Sequence, residues 1–245
     1  MGTIITASGE LEAPEKVLVV VAHPDDIDFG TAGTIAALTA AGSDVVYCLV
    51  TSGEAGDDDM TVPADELAEL RQREQTEAAA LVGVFELHWL GHPDGAVVAD
   101  LNLRRDISRI IRMVKPDVVI TQTAVRNWNR IYGSHPDHLA TGEATISAVY
   151  PDSRNPRAFP ELLEEGLQPH TVPEVWVTGL DADRFVDITD VFDRKVEALR
   201  AHKSQTLKMG DRLPVLLREW GEATAEQGLL DHGRLAEAFK VVNTA

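Results

Sequence analysis

An α/β fold, with a mostly parallel sheet covered by helices on both faces, is the architecture the sequence predicts. Three features predict it. Short apolar runs alternate with helix-length amphipathic stretches through the first half of the chain. The apolar runs are continuous rather than alternating, as strands buried on both faces require. Of the 245 residues 44% are apolar and 25% charged, an ordinary globular composition. A chain of this length buries roughly 70% or more of its unfolded surface and needs no disulfide or structural metal to fold.

The first strand is Lys16 to Ala22, an unbroken apolar run too short for a helix. A helix follows from Thr31 to Ala41, stopped by Gly42 as its C-cap. Val45 to Thr51 is the second strand, and Ser52 to Pro63 a Gly- and Asp-rich loop. Ala64 to Val82 reads as a helix with Leu67, Leu70, Ala78 and Leu81 spaced for one face, ended by Gly83. Phe85 to Leu90 is the third strand, followed by a turn over Gly91-His92-Pro93-Asp94-Gly95. A helix over Leu101 to Val114 leads to the fourth strand, Asp117 to Thr121. This order is Rossmann-like.

Tyr150 to Pro173 holds several prolines and reads as a long excursion rather than a linker. Beyond it the pattern predicts a strand over Glu174 to Thr178 and an edge strand near Phe185 to Ile188. A helix from Asp190 to His202 follows, with a small helical C-terminal extension from Leu213. One domain over 1–245 is expected, with 174–245 as an accessory C-terminal lobe within it.

Twenty-two basic against 40 acidic residues leave a net charge of −18. Nucleic acid and anionic membranes are gripped by clustered Lys and Arg, so neither is an expected partner. No run approaches the roughly 18 apolar residues of a membrane helix, and Met1 to Lys16 lacks the apolar core of a secretory signal. A cytoplasmic enzyme or binding protein is the expectation, with a small molecule or glycoconjugate as partner and self-association into a homo-oligomer as the other partner class. The single cysteine, Cys48, lies inside an apolar strand and reads as an inert core thiol.

Ligands of open parallel sheets bind beyond the carboxyl ends of the strands. The first strand runs directly into His23-Pro24-Asp25-Asp26, and the fourth is followed by Ser134-His135-Pro136-Asp137-His138 at the head of a helix. A third His-Pro-Asp, His92-Pro93-Asp94, follows the third strand. Three such tripeptides after three parallel strands point to one shared site. His23, Asp26 and His138 are the expected metal ligands, because two imidazoles and a carboxylate with one position left open form a catalytic rather than a structural zinc site. Fe(II) and Co(II) suit the same donors. Asp25 is then free to act as general base. His135 is placed to face a developing oxyanion or the leaving amine, with Asp137 to orient or charge-stabilise it. The reaction class is hydrolysis of an acyl bond.

The two clusters together resemble the LmbE-like (PIG-L) zinc-dependent de-N-acetylases, which remove acetyl groups from N-acetylglucosamine units of glycoconjugates. The resemblance continues through Gly33-Thr34, Thr51-Ser52-Gly53-Glu54, and Arg71 with Glu74. It also takes in Leu90-Gly91, Asp94-Gly95, Lys115-Pro116-Asp117, and Lys195 with Ala198 ahead of His202-Lys203-Ser204-Gln205. It implies the same ligands, base and oxyanion stabiliser, and sugar contacts at Arg71 and Asp94. Glu54, near the predicted mouth, is a further candidate for substrate contact. Many members carry Glu directly after the Asp pair; here Ile27 stands there, followed by Asp28.

His88, His170, His202 and His232 read as ordinary structural or solvated histidines. The leading functional expectation is removal of an N-acetyl group from an N-acetylglucosamine-type amino sugar. The alternatives are an amidase acting on a larger thiol conjugate or natural product, and a non-catalytic sugar-binding protein.

Overall fold

A computed structural model describes residues 1–59, 61–129, 131–179 and 181–244. Nine strands, β1 (Thr3–Thr6), β2 (Gly9–Glu12), β3 (Lys16–Val21), β4 (Asp44–Leu49), β5 (Glu86–Trp89), β6 (Val118–Thr121), β7 (Glu174–Val177), β8 (Arg184–Asp187) and β9 (Ala236–Asn243), form one sheet. Their order is β2-β1-β8-β9-β7-β6-β3-β4-β5. β3 to β7 pair in parallel, whereas β9 lies antiparallel between β7 and β8, and the β1–β2 hairpin closes the far edge. The helices are α1 (Asp26–Gly30), α2 (Ala32–Ala40), α3 (Ala64–Leu81), α4 (Leu101–Val114), α5 (Pro136–Ser147), α6 (Glu161–Glu164), α7 (Phe192–Ala201), α8 (Lys203–Thr206) and α9 (Arg212–Gln227). No described helix is long and apolar enough to cross a membrane.

Period-2 alternation along the central strands separates two cores. Val17, Val19 and Val21 of β3 pack with Ile35, Ala78, Leu199 and Leu213 from α2, α3, α7 and α9. Leu18 and Val20 face the other way, onto Leu103, Ile107 and Ile111 of α4 and Ala144 of α5. All five strand residues are buried, each contributing roughly 1.5–3 kcal/mol relative to exposure. α4 is started by Asp100, whose carboxylate accepts from the Asn102 and Leu103 N–H groups at 2.9 Å. Cys48 lies in the second core, and burial pushes its thiol up to about 12.

Besides the N-terminal β1–β2 hairpin, which the sequence reading lacked, three elements differ from it. The strand at 184–187 is interior, because the N-terminal hairpin pairs with its open side. The C-terminal region ends in a strand, β9, which completes the antiparallel half of the sheet. The 150–173 excursion contains the short helix α6.

The topology positions the site. From β3 the chain moves outward through β4 and β5, then returns to place β6 on the other side of β3. The loops after β3 and β6 therefore leave the sheet side by side in opposite directions, which opens the crevice where α/β folds bind ligands.

Candidate metal centre and active site

The loop after β3 supplies the first half of the site. His23, Pro24 and Asp25 turn the chain into α1, and the His23 N–H donates to Asp26 Oδ2 at 2.7 Å. The head of α5 supplies the second half. Pro136 sits in the first turn, where its missing N–H costs nothing, and His135 caps the helix through Nδ1, which accepts from the Asp137 N–H at 3.3 Å. Gly142 lets α5 close on the loop after β6: a Cβ there would lie 2.3 Å from the Gln122 carbonyl oxygen.

The two halves meet. His23 Nδ1 lies 3.2 Å from His138 Nε2 and 3.4 Å from Asp26 Oδ2, and His138 Nε2 lies 3.0 Å from Asp26 Oδ1. Donors bound tetrahedrally at roughly 2.0–2.1 Å stand about 3.3 Å apart. The observed separations, to one or the other Asp26 oxygen, are close to that spacing. The far nitrogen of His23 is fixed by carboxylates, with Nε2 2.9 Å from Asp94 Oδ1 and 3.2 Å from Asp137 Oδ2. With a cation in place of the Nδ1 proton, the ring proton would sit on Nε2 against these carboxylates and the Nδ1 lone pair would face Asp26 and His138. Outer carboxylates orient metal-binding imidazoles in this way. The donor set fits a divalent cation.

The electrostatics divide the two adjacent aspartates. Burial opposes the charge on Asp26, but hydrogen bonds to His138 and His23 hold its carboxyl well below the usual range. Burial also opposes the charge on His23, yet Asp26 and Asp94 lift it to about 10. Asp25 is pushed up to about 6, chiefly by burial, with Arg71 opposing and Asp26 adding to the rise. A carboxylate near that value is matched to proton transfer close to neutral pH. His135 is lowered from its ordinary value by burial and by the nearby His23. Its ring centroid lies 5.0 Å from that of His23 and 5.4 Å from that of His138.

The remaining candidates have partners within the protein. Arg71 is buried: one terminal nitrogen donates to the Gly53 carbonyl at 2.8 Å, and the other to the Pro24 carbonyl at 2.9 Å and Asp25 Oδ2 at 3.2 Å. Gly53 accommodates it, since a Cβ there would lie 2.3 Å from the guanidinium. Asp94 joins the site through His23 and also accepts from the Ala55 N–H at 2.9 Å. Glu54 accepts from the Asp94 N–H at 2.8 Å and ties the two loops together. The Asp137 carboxylate accepts from the Gly95 and Val97 N–H groups at 2.7 and 3.2 Å, so its backbone N–H reaches the His135 ring while its charge opposes the lowering of His135. His92 turns aside to Asp106, at 3.2 Å, and only the Asp of that tripeptide enters the site.

Gln75 escaped the sequence reading. Its Oε1 accepts from the Asp25 N–H at 2.8 Å and its Nε2 donates to Asp28 Oδ2 at 2.8 Å. Its signal was a polar residue four positions after Arg71, on the same face of α3. His202, read as ordinary, completes this chain with Nε2 2.8 Å from Asp28 Oδ2.

Residues 18–149, which span both halves of the site, match the PIG-L family, described as GlcNAc-PI de-N-acetylase. The chain is 36% identical over 192 residues to diacetylchitobiose deacetylase of Thermococcus kodakarensis, covering 78% of this chain and 70% of that one. It is 34% identical to the probable N-acetyl-alpha-D-glucosaminyl L-malate deacetylase 2 of Bacillus subtilis, over 78% of this chain and 84% of that one. Among solved structures, N,N'-diacetylchitobiose deacetylase from Pyrococcus horikoshii superposes with a TM-score of 0.81 at 31% identity, over 94% of this chain and 84% of that one.

Proposed function

The chain belongs to the PIG-L family of metal-dependent N-deacetylases, and from that premise we propose that it hydrolyses the N-acetyl amide of an N-acetylglucosamine-type sugar or glycoconjugate. The relatives named above share that reaction while differing in what the sugar is attached to. The single observation that carries the reading is the convergence of His23, Asp26 and His138 beside a base of matched strength.

His23, Asp26 and His138 would hold the metal, and zinc is the ion we assign, since one carboxylate and two imidazoles with an open position suit it. When bound, zinc supplies Lewis acidity and lowers the pKa of a water to about 7. Asp25 accepts the proton of the attacking water. Arg71 holds Asp25 Oδ2, which leaves Oδ1 for that proton. The capping bond at Nδ1 puts the proton of neutral His135 on Nε2. From there it donates to the acetyl oxygen as negative charge develops. The proton gathered on Asp25 then goes to the departing amine, so the amide C–N bond breaks and acetate leaves with the free amino sugar. Asp94 and Asp137 keep the His23 ring in the tautomer that the ligand set requires.

Acetate release measured on N-acetylglucosamine, diacetylchitobiose and a set of bulky N-acyl amides tests this reading. Release from at least one acetylated sugar, dependent on added zinc and abolished by a chelator, is expected. Cleavage confined to the bulky amides would transfer the protein to the amidase reading, and zinc binding with no hydrolysis of any of them to a binding role.

A further inference from the structure

The His202-Lys203-Ser204-Gln205 segment takes part in no step of the reaction above, yet three of its side chains dock beneath the site. His202 pairs with Asp28. Ser204 donates through its N–H and its hydroxyl to Glu74 at 2.8 and 2.6 Å, and Gln205 donates to the Gly56 carbonyl at 3.2 Å. His202, Asp28 and Gln75 are each fully buried. Such groups are costly to keep in a core unless their bonds are used.

The chain of bonds ends at a strained residue. Asp25 has φ +78 and ψ −22, the left-handed region that L side chains rarely adopt. Arg71 fastens the carbonyl before it and its carboxylate, but among the described residues the Asp25 N–H is held only through Gln75 Oε1. A primary amide presents an oxygen at one corner and NH2 at the other, and the two can exchange by a half turn. A carboxylate accepts only. Asp28 therefore demands the NH2 corner of Gln75, which turns the oxygen corner to Asp25. His202, donating to the same Asp28 oxygen, fixes that carboxylate in place.

We propose that Asp28 and His202 are positioning residues for the base: by setting the orientation of the Gln75 amide, they hold the backbone of Asp25 in its left-handed conformation. Asp25 as the base rests on the proposed function; the conformational part does not. The arrangement keeps the base pre-aligned with the ligand set, where a misplacement of about 1 Å costs on the order of a hundredfold in rate.

Reversing the polarity of the Gln75–Asp28 bond tests it. Crystal structures of the parent, Gln75→Glu, Asp28→Asn and the double variant report φ at Asp25. kcat and KM are measured alongside on the best acetylated substrate. Gln75→Glu sets two carboxylates against each other and is expected to move Asp25 out of the left-handed region. In it kcat should fall by about tenfold or more, with KM and zinc content near those of the parent. Asp28→Asn, whose amide oxygen can still accept from Gln75 Nε2 and His202, is expected to keep φ and kcat near the parent values. In the double variant the introduced carboxylate accepts from both the Asp25 N–H and the introduced amide, and both φ and kcat return to near the parent values. Unchanged φ with unchanged kcat in Gln75→Glu, or a loss in the double variant as large as in Gln75→Glu, overturns the proposal. Should Gln75→Glu fail to fold, His202→Gln, which keeps an N–H toward Asp28, is compared with His202→Leu, which does not. The first is expected to keep the left-handed Asp25 and the second to lose it; identical behaviour overturns the proposal. Movement of Asp25 in Gln75→Glu, with no hydrolysis by the parent, supports the positioning role and counts against the deacetylase reading instead.

Discussion

His23-Pro24-Asp25 and His135-Pro136-Asp137 are the same tripeptide, each placed after a parallel strand, and they do opposite things. In the first the histidine faces His138 across the crevice, and the aspartate sits in a left-handed turn with its carboxyl pushed up to about 6. In the second the histidine caps a helix, while the aspartate is fully buried as an acceptor for two backbone N–H groups of the loop at 95–97. The difference lies in the backbone after the proline. Pro136 starts a twelve-residue helix, which carries the aspartate inward and His138 across the crevice. Pro24 leads into a turn whose dihedrals are imposed by Arg71 and Gln75 from a neighbouring helix. A motif thus fixes which groups are available, and the local fold decides which of them does chemistry.

The comparison is broken most severely at the ligands. His23→Ala and His138→Ala, one from each half, are both expected to lose bound zinc and to lower kcat/KM by about a thousandfold or more, as metal analysis and acetate release would show. If either keeps a full equivalent of zinc, the two halves do not share an ion. Next in size is the base: Asp25→Asn should retain zinc while kcat falls roughly 10²–10⁴-fold. The equivalent change in the second tripeptide, Asp137→Asn, should cost less in rate, roughly 10–100-fold through the His23 ring that it holds, together with roughly 1–3 kcal/mol in denaturant unfolding, since it disturbs a buried acceptor of backbone N–H groups. Equal kinetic losses in the two variants would erase the distinction drawn here.

His135→Ala lies between these, with an expected fall in kcat of about 10²–10³-fold at unchanged zinc content. The smallest effect concerns pH. Asp25 acts as a carboxylate and is protonated below its raised value of about 6, so kcat/KM should fall as pH drops through about 6. An ordinary aspartate would place that limb near about 3.9, and a profile flat down to pH ~4.5 would contradict the burial effect invoked for Asp25.

Much of the fold was legible because β3, β4 and β6 are covered on both faces, so apolarity is continuous along each of them. The antiparallel half was not. Gly9–Glu12 is largely exposed at an edge and shows no alternation, and Ala236–Asn243 is only partly buried in a region otherwise helical. The candidate ligands and base were legible because they fall within short segments at strand ends. Their supports were not. Gln75 lies 50 residues from Asp25 and His202 lies 174 from Asp28, and only the folded chain brings them together. Arg71 and Glu54 sit in conspicuous places in the sequence, but no spacing discloses their hydrogen-bond partners, the Gly53 carbonyl and the Asp94 N–H.

Crystals of the zinc-loaded protein, with anomalous diffraction recorded on either side of the zinc edge, test the central claim most directly. The account predicts one peak per chain, roughly 2.0–2.2 Å from His23 Nδ1, an Asp26 carboxylate oxygen and His138 Nε2, with Asp25 outside the coordination sphere. A peak held by His23, Asp94 and Asp137 instead, or none within reach of His138, would contradict it.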